Sequence, residues 1–141
     1  MLIVPDIGSS TCRACPYHPE SRETPEARRV PAPRTGRQHV PLRAEVNGSK
    51  TLLLLQTPGI DEWDDGRPLS SGKKGAACLR FKAALKDAGR RREEFDIAEA
   101  VNCYPGQDEK QRDRRPPTGA IKACSRWLQP LARESHQGKT V

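Results

Sequence analysis

"LLLLQTPGIDEWDDGRPLSSGKKG" occupies residues 52–75. Four consecutive leucines run directly into a Pro-Gly break and an acid-rich, polar stretch. A continuous apolar run bounded by turn residues reads as a buried strand of a parallel sheet, because such strands are covered on both faces. Asn47-Gly48 marks a turn before it, and Pro58-Gly59 ends it. The loop beyond the carboxyl end of such a strand is where open α/β sheets bind ligands.

The neighbouring segments complete a unit around this strand. "GKKGAACLRFKAALKDAG" (72–89) predicts a helix with Ala77, Phe81, Ala84, Leu85 and Ala88 on one face and Gly89 as its stop. "EFDIAEAVNC" (94–103) predicts a second strand. Strand, helix and strand in this order imply a parallel pair joined by a crossover. "YPGQDEKQRDRRPPTG" (104–119) reads as a polar loop. "TGAIKACSRWLQ" (118–129) then predicts a helix with Thr118 as N-cap, with Ile121, Cys124 and Leu128 on one face, limited or kinked by Pro130. The expected fold class is therefore α/β: a parallel-sheet core flanked by helices, with a loop-rich N-terminal cysteine segment. Residues 12–45 form that Pro- and Arg-rich segment, and residues 1–141 are expected to make one domain.

Composition limits the core. Hydrophobic residues are 34% and aromatics 4%, against 30% charged residues, so a metal or cluster staple would help the fold. A partly disordered basic protein is the competing reading. The net charge of +7 favours an anionic partner, nucleic acid first. Basic residues cluster at 26–43, 89–94 and 110–115, as phosphate contact requires. No apolar run is long enough to span a bilayer, and the N-terminus lacks a basic segment followed by a long apolar one. A cytoplasmic, monomeric protein without membrane contact is expected. In that reducing compartment five cysteines point to metal or reactive thiols before disulfides.

Cys12 and Cys15 form a C-x2-C pair, Cys103 ends the second strand, and Cys124 lies in the last helix. Four thiolates suit either Zn²⁺ or an iron–sulfur cluster, and local spacing does not choose between them. Cys78 reads as a small buried hydrophobe. His18 and His39, in the N-terminal loops, are expected to be solvent-exposed.

Several separated stretches together resemble one family, the iron–sulfur uracil-DNA glycosylases (the family 4 type of the uracil-DNA glycosylase superfamily). "CRACP" is similar to that family's opening Cys-x-x-Cys-Pro. "LQTPGIDEWDDGRPLSSG" resembles its Gly-Glu-Ala-Pro-Gly, acidic residues and Gly-Arg-Pro-Phe-Val-Gly. "AEAVNCYPG" resembles its second strand with a cysteine, and "DRRPPTGAIKAC" its Asn-Arg-x-Pro element followed by Ile and Cys. The resemblance implies a [4Fe–4S] cluster on Cys12, Cys15, Cys103 and Cys124, with zinc as the alternative. It also implies a DNA-facing loop carrying Lys110, Arg112, Arg114 and Arg115, and a base pocket built from Thr57, Pro58, Gly59, Leu69 and Glu99. Hydrolysis of the N-glycosidic bond of a flipped-out base in DNA repair is the activity implied.

The departures fall on the chemistry. Gln56 stands where the family has its catalytic Glu, Leu69 where it has a stacking Phe, and Glu99 where it has an Asn that reads uracil. Gln56 can hold a water but cannot act as a base. Asp61, Glu62, Asp64 and Asp65 are the candidate replacement carboxylates, and Asp61 and Glu62 are the two that match the family's acidic residues. An ionised Glu99 would only accept hydrogen bonds. The family's closing His-Pro-Ser segment has no counterpart, since His136 comes too early and lacks the Pro-Ser. The alternatives are a non-catalytic iron–sulfur or zinc nucleic-acid-binding module, and a chain lacking the family's C-terminal part, which would leave an exposed sheet edge.

Overall fold

A computed structural model describes residues 5–21 and 30–135. His136 lies outside them. In chain order the elements are α1 (Ser10–Arg13), β1 (Leu52–Leu55), α2 (Ile60–Asp65), α3 (Ala77–Ala88), β2 (Asp96–Glu99) and α4 (Thr118–Ser135). β1 and β2 form a parallel two-stranded sheet in which Leu52 pairs with Asp96 and Leu55 with Glu99. The ladder runs on beyond the strands, as Ala100 N–H donates to Leu55 O and Val101 N–H to Gln56 O. The two carboxyl ends are therefore locked side by side. Helices flank this pair, and the α/β class holds.

The four-leucine strand is not the buried one. Its residues are half-buried and Leu54 is 52% exposed, whereas all four residues of β2 are buried. Among the described residues β1 pairs on one edge only. Leu53 and Leu55, like Phe81, pack on the cluster of Ile97, Leu69 and Cys78, but Leu54 is left exposed. β2 has both edges occupied. Glu45 exchanges two backbone hydrogen bonds with Ile97, and Leu42 N–H donates to Asn102 O. Apolar content made β1 read as central; the chain returning through residues 42–45 gives that place to β2.

Other expectations shift by a residue or an element. The inner face of α3 is Cys78, Phe81 and Leu85, while Ala77, Ala84 and Ala88 are exposed. Cys78 donates its thiol to Leu69 O, as a small buried residue. α4 begins at Thr118 itself, continues through Pro130, and buries Ala120, Cys124 and Leu131, leaving Ile121 exposed. His18 is buried rather than exposed, with Nε2 against Ile7 O and Nδ1 accepting from Glu20 N–H. His39 is half-buried and meets Trp63 edge-on.

The stretch read as a continuous loop contains α2, which turns on one residue. Trp63 is fully buried, its indole N–H donates to Pro31 O, and the Arg37 guanidinium lies over its ring. Gly66 closes the helix in the left-handed conformation that glycine adopts without strain. Trp63 joins Tyr17, Val30, Leu42, Val101, Tyr104, Ala120 and three of the cysteines in the larger core.

Candidate active site and cysteine centre

A cleft of about 480 Å³ opens at the carboxyl ends of β1 and β2. It is lined by Gln56, Thr57, Gly59, Asp61, Glu62, Leu69 and Glu99, so the sequence-predicted catalytic and pocket residues meet at one place, with Pro58 buried just behind them. Its size lies within the range of small-ligand sites. Gln56 is exposed at its rim, one residue beyond β1. Gly59 caps α2, and a side chain there would meet Glu62 Oε2 at 3.0 Å. A glycine is what lets the Glu62 carboxylate fold back across the start of its own helix.

The three carboxyl groups occupy different environments. Asp61 accepts from Ser71 Oγ at 2.6 Å, and Arg34 and Lys73 stand at 3.2 and 3.3 Å. The Ser71 hydroxyl and these two cations hold Asp61 below the usual carboxylate range. Glu62 is pushed upward by burial, with the charge of Asp61 adding to the effect. Glu99, only 4% exposed, is pushed up to about 8 by burial and by the nearby Glu62. Its Oε2 is buried without a hydrogen-bond partner. One carboxylate is thus held ionised and another is held neutral in the same cleft, an arrangement that separates acid from base roles.

Leu69 adopts φ 47°, the left-handed region that a leucine occupies only under strain. Its carbonyl accepts from Cys78 and from Arg92 Nη1, while Arg92 Nη2 reaches Pro68 O. Glu45 holds the same arginine through Nε and also binds Arg67. The sequence suggested Arg92 as part of a phosphate-contacting cluster; the structure commits it to pinning the turn that presents Leu69. Arg34 and Arg37 are likewise committed to α2, through Asp61, Asp64 and Trp63 O. Composition carries no signal for these uses, because each partner lies more than twenty residues away in sequence.

Residues 104–117 form an ordered, basic loop. Asp108 accepts the backbone N–H groups of Lys110 and Arg112, Gln107 bridges Asp113, and the buried Tyr104 donates to Asp113. Lys110, Arg112 and Arg115 are exposed and Arg114 half-exposed, the last donating to Gln107 O. Arg112, Arg114 and Arg115 line a groove of about 600 Å³ that reaches Tyr17.

Cys12, Cys15, Cys103 and Cys124 are all buried and none is in a disulfide. α1 packs on α4 and brings the C-x2-C pair toward Cys124. Burial raises all four thiols, Cys124 to about 11, and the cysteines raise one another: Cys103 feels the other three. Donors point at the sulfurs. Tyr17 N–H reaches Cys15 Sγ at 3.5 Å, Trp127 bonds Cys12, and Asn102 bonds Cys124 through backbone and side chain. Among the described residues no three His, Cys, Asp or Glu side chains close on a point as a single ion would require.

The uracil DNA glycosylase superfamily model matches residues 44–136, most of the chain. The chain belongs to the uracil DNA glycosylase superfamily. The match takes in the cleft, the basic loop, Cys103 and Cys124; Cys12 and Cys15 precede it. A comparison with curated proteins finds no match. Membership of this superfamily ties the protein to DNA and to glycosylase-like function. Among the described residues no helix is long and apolar enough to cross a membrane.

Proposed function

We propose that the protein binds DNA through the 104–117 loop and hydrolyses the N-glycosidic bond of a flipped-out base held in the cleft between β1 and β2. The observation that carries this reading is the cleft itself, where Gln56, Asp61, Glu62 and Glu99 line one cavity. In the proposed step a water oxygen bonds to the sugar C1′ as the C1′–N bond breaks. The bond's electron pair leaves with the base, and the water's proton passes to a carboxylate or to solvent. Gln56 orients the water through its amide. Asp61, held ionised, is the carboxylate suited to balance the positive charge developing on the sugar. Lys110, Arg112, Arg114 and Arg115 contact phosphates.

The four cysteines suit a [4Fe–4S] cluster. They are soft donors from three separate regions, buried, unpaired with one another, and supplied with N–H donors to sulfur. Such a cluster would supply a structural tie between α1, the segment after β2, and α4. Zinc is the second reading, favoured only by the four-cysteine count. Iron, sulfide and zinc analysis of the purified protein separates the two.

Incubation with single- and double-stranded DNA bearing one uracil is the direct test, with abasic sites as the expected product. DNA binding without abasic product on either substrate would leave the non-catalytic binding module and remove the hydrolase.

A further inference from the structure

Glu99 ends β2 on the face that carries Ile97 and lines the cleft as well as a second cavity, and its buried Oε2 has no hydrogen-bond partner. A buried carboxylate without donors is the costly form of that side chain; the neutral acid is the form such a site tolerates. The charged groups facing the cleft do not reverse this. From α2 come Asp61 and Glu62, both acidic; from the 71–76 loop come Lys73, engaged with Asp61, and Lys74; from the basic loop comes Asp113. Arg43 lines the second cavity together with Glu99 but makes no ion pair with it. Among the described residues none of these cations pairs with Glu99.

A neutral carboxyl differs from an ionised one in what it offers. It presents one O–H donor beside one carbonyl acceptor, side by side in a plane. That pair is complementary to a ring edge bearing an adjacent C=O and N–H, as the O4 and N3–H edge of uracil does. An ionised Glu99 would accept from N3–H and repel O4.

We propose that Glu99 is the base-reading residue of this cleft and works as a neutral acid, donating to a ring carbonyl and accepting from the adjacent ring N–H. The inference rests on the base-binding reading of the cleft, and not on hydrolysis. Its consequence is a site that closes with rising pH. Recognition is complete while Glu99 is protonated and is lost as pH passes about 8. Above that point affinity falls roughly tenfold per pH unit. Glu99→Gln keeps a donor and an acceptor in the same plane and cannot ionise, so it keeps its affinity where the natural protein loses it.

The test uses the full chain and a single-stranded oligonucleotide bearing one uracil, compared with the same oligonucleotide bearing cytosine. Affinity is measured by fluorescence anisotropy from about pH 6 to about pH 9, spanning the ionisation. The expected result is a uracil-dependent gain in affinity that disappears above about pH 8 in the natural protein and persists in E99Q. E99Q also carries whatever the ligand's own ionisation contributes. Carboxyl ¹³C titration of Glu99, assigned by its absence in E99Q, should show the same midpoint. Three results overturn the inference: a flat wild-type profile, equal pH dependence in E99Q, or a preference for cytosine, whose edge reverses donor and acceptor. If no abasic product forms on any substrate while the pH-dependent uracil preference remains, hydrolysis fails and this inference stands.

Discussion

At the residue scale Glu99 sets stability as well as recognition. Its carboxyl is near 8 in the folded chain and about 4.5 when exposed, so the folded state binds the proton more tightly. Below about 4.5 both states are protonated and the group contributes no pH dependence. Between there and about 8 the unfolded chain gives up its proton first, and stability falls as pH rises. Replacing Glu99 by Gln removes this penalty. E99Q should be more stable than the natural protein by a few kcal/mol near pH 7 to 8, with the difference vanishing toward pH 4; urea unfolding across that range measures it. A constant difference at all pH values would mean that packing, not ionisation, separates the two. Gln56 makes the complementary prediction. It lies one residue past β1 at the cleft rim, where an amide can orient water but cannot accept its proton. Gln56→Glu should raise the rate of base excision by about 10²-fold, read as single-turnover abasic-site formation. An unchanged rate would place water activation elsewhere, with Asp61 the next residue to replace.

At the scale of elements, legibility followed local pattern and failed where distant contacts decided. α3 and α4 were visible because their apolar residues recur at helical spacing, and both strands because each is a short apolar run between breakers. α2 was hidden by Pro58, Gly59 and four acidic residues, which spell a loop by composition. It exists because Trp63 fills the larger core and because Arg34 and Arg37, from the Pro-rich segment, clamp its acids and carbonyls. The ranking of the strands failed for a similar reason, since no local feature announces that residues 42–45 cover β2. The cleft residues were legible through their order along the chain; the neutral state of Glu99 was not, because burial beside Glu62 arises only in three dimensions. Pro130 marks an element-scale cost. It sits inside α4, where its ring removes a backbone donor and crowds the preceding turn. Pro130→Ala should stabilise the protein by about 1 kcal/mol or more, seen as a higher urea midpoint. A lower midpoint would show that the proline ring packs more usefully than the helical bond it displaces.

At the scale of the whole molecule, the larger core is poor in large aliphatic residues. Cys15, Cys103 and Cys124 belong to it beside Val30, Leu42 and Val101, and it joins the N-terminal segment, α2, the chain after β2, and α4. The smaller core of Leu69, Cys78 and Ile97, with Leu53, Leu55 and Phe81 against it, contains none of the four proposed ligands. Thiols crowded by burial and by one another are poor substitutes for branched side chains, so a cluster on the four proposed ligands would brace the larger core. Removing the proposed metal centre should therefore loosen the protein unevenly. Backbone amides of residues 12–18, 101–104 and 118–128 should lose hydrogen-exchange protection first, while those of β1, α3 and the first half of β2 keep theirs. Cys103→Ser should reproduce this pattern and reduce bound iron, whereas Cys78→Ser, outside the proposed centre, should leave iron content intact. The basic loop at 104–117 rests on the same core through Tyr104 and Tyr17, so DNA affinity should fall together with protection in that region. Uniform loss of protection across both cores would mean one cooperative unit, and no loss at all would mean that the four cysteines pack without a metal centre. Only uneven loss, matched by C103S and accompanied by weaker DNA binding, fits a fold whose DNA-facing half is held by its cysteines.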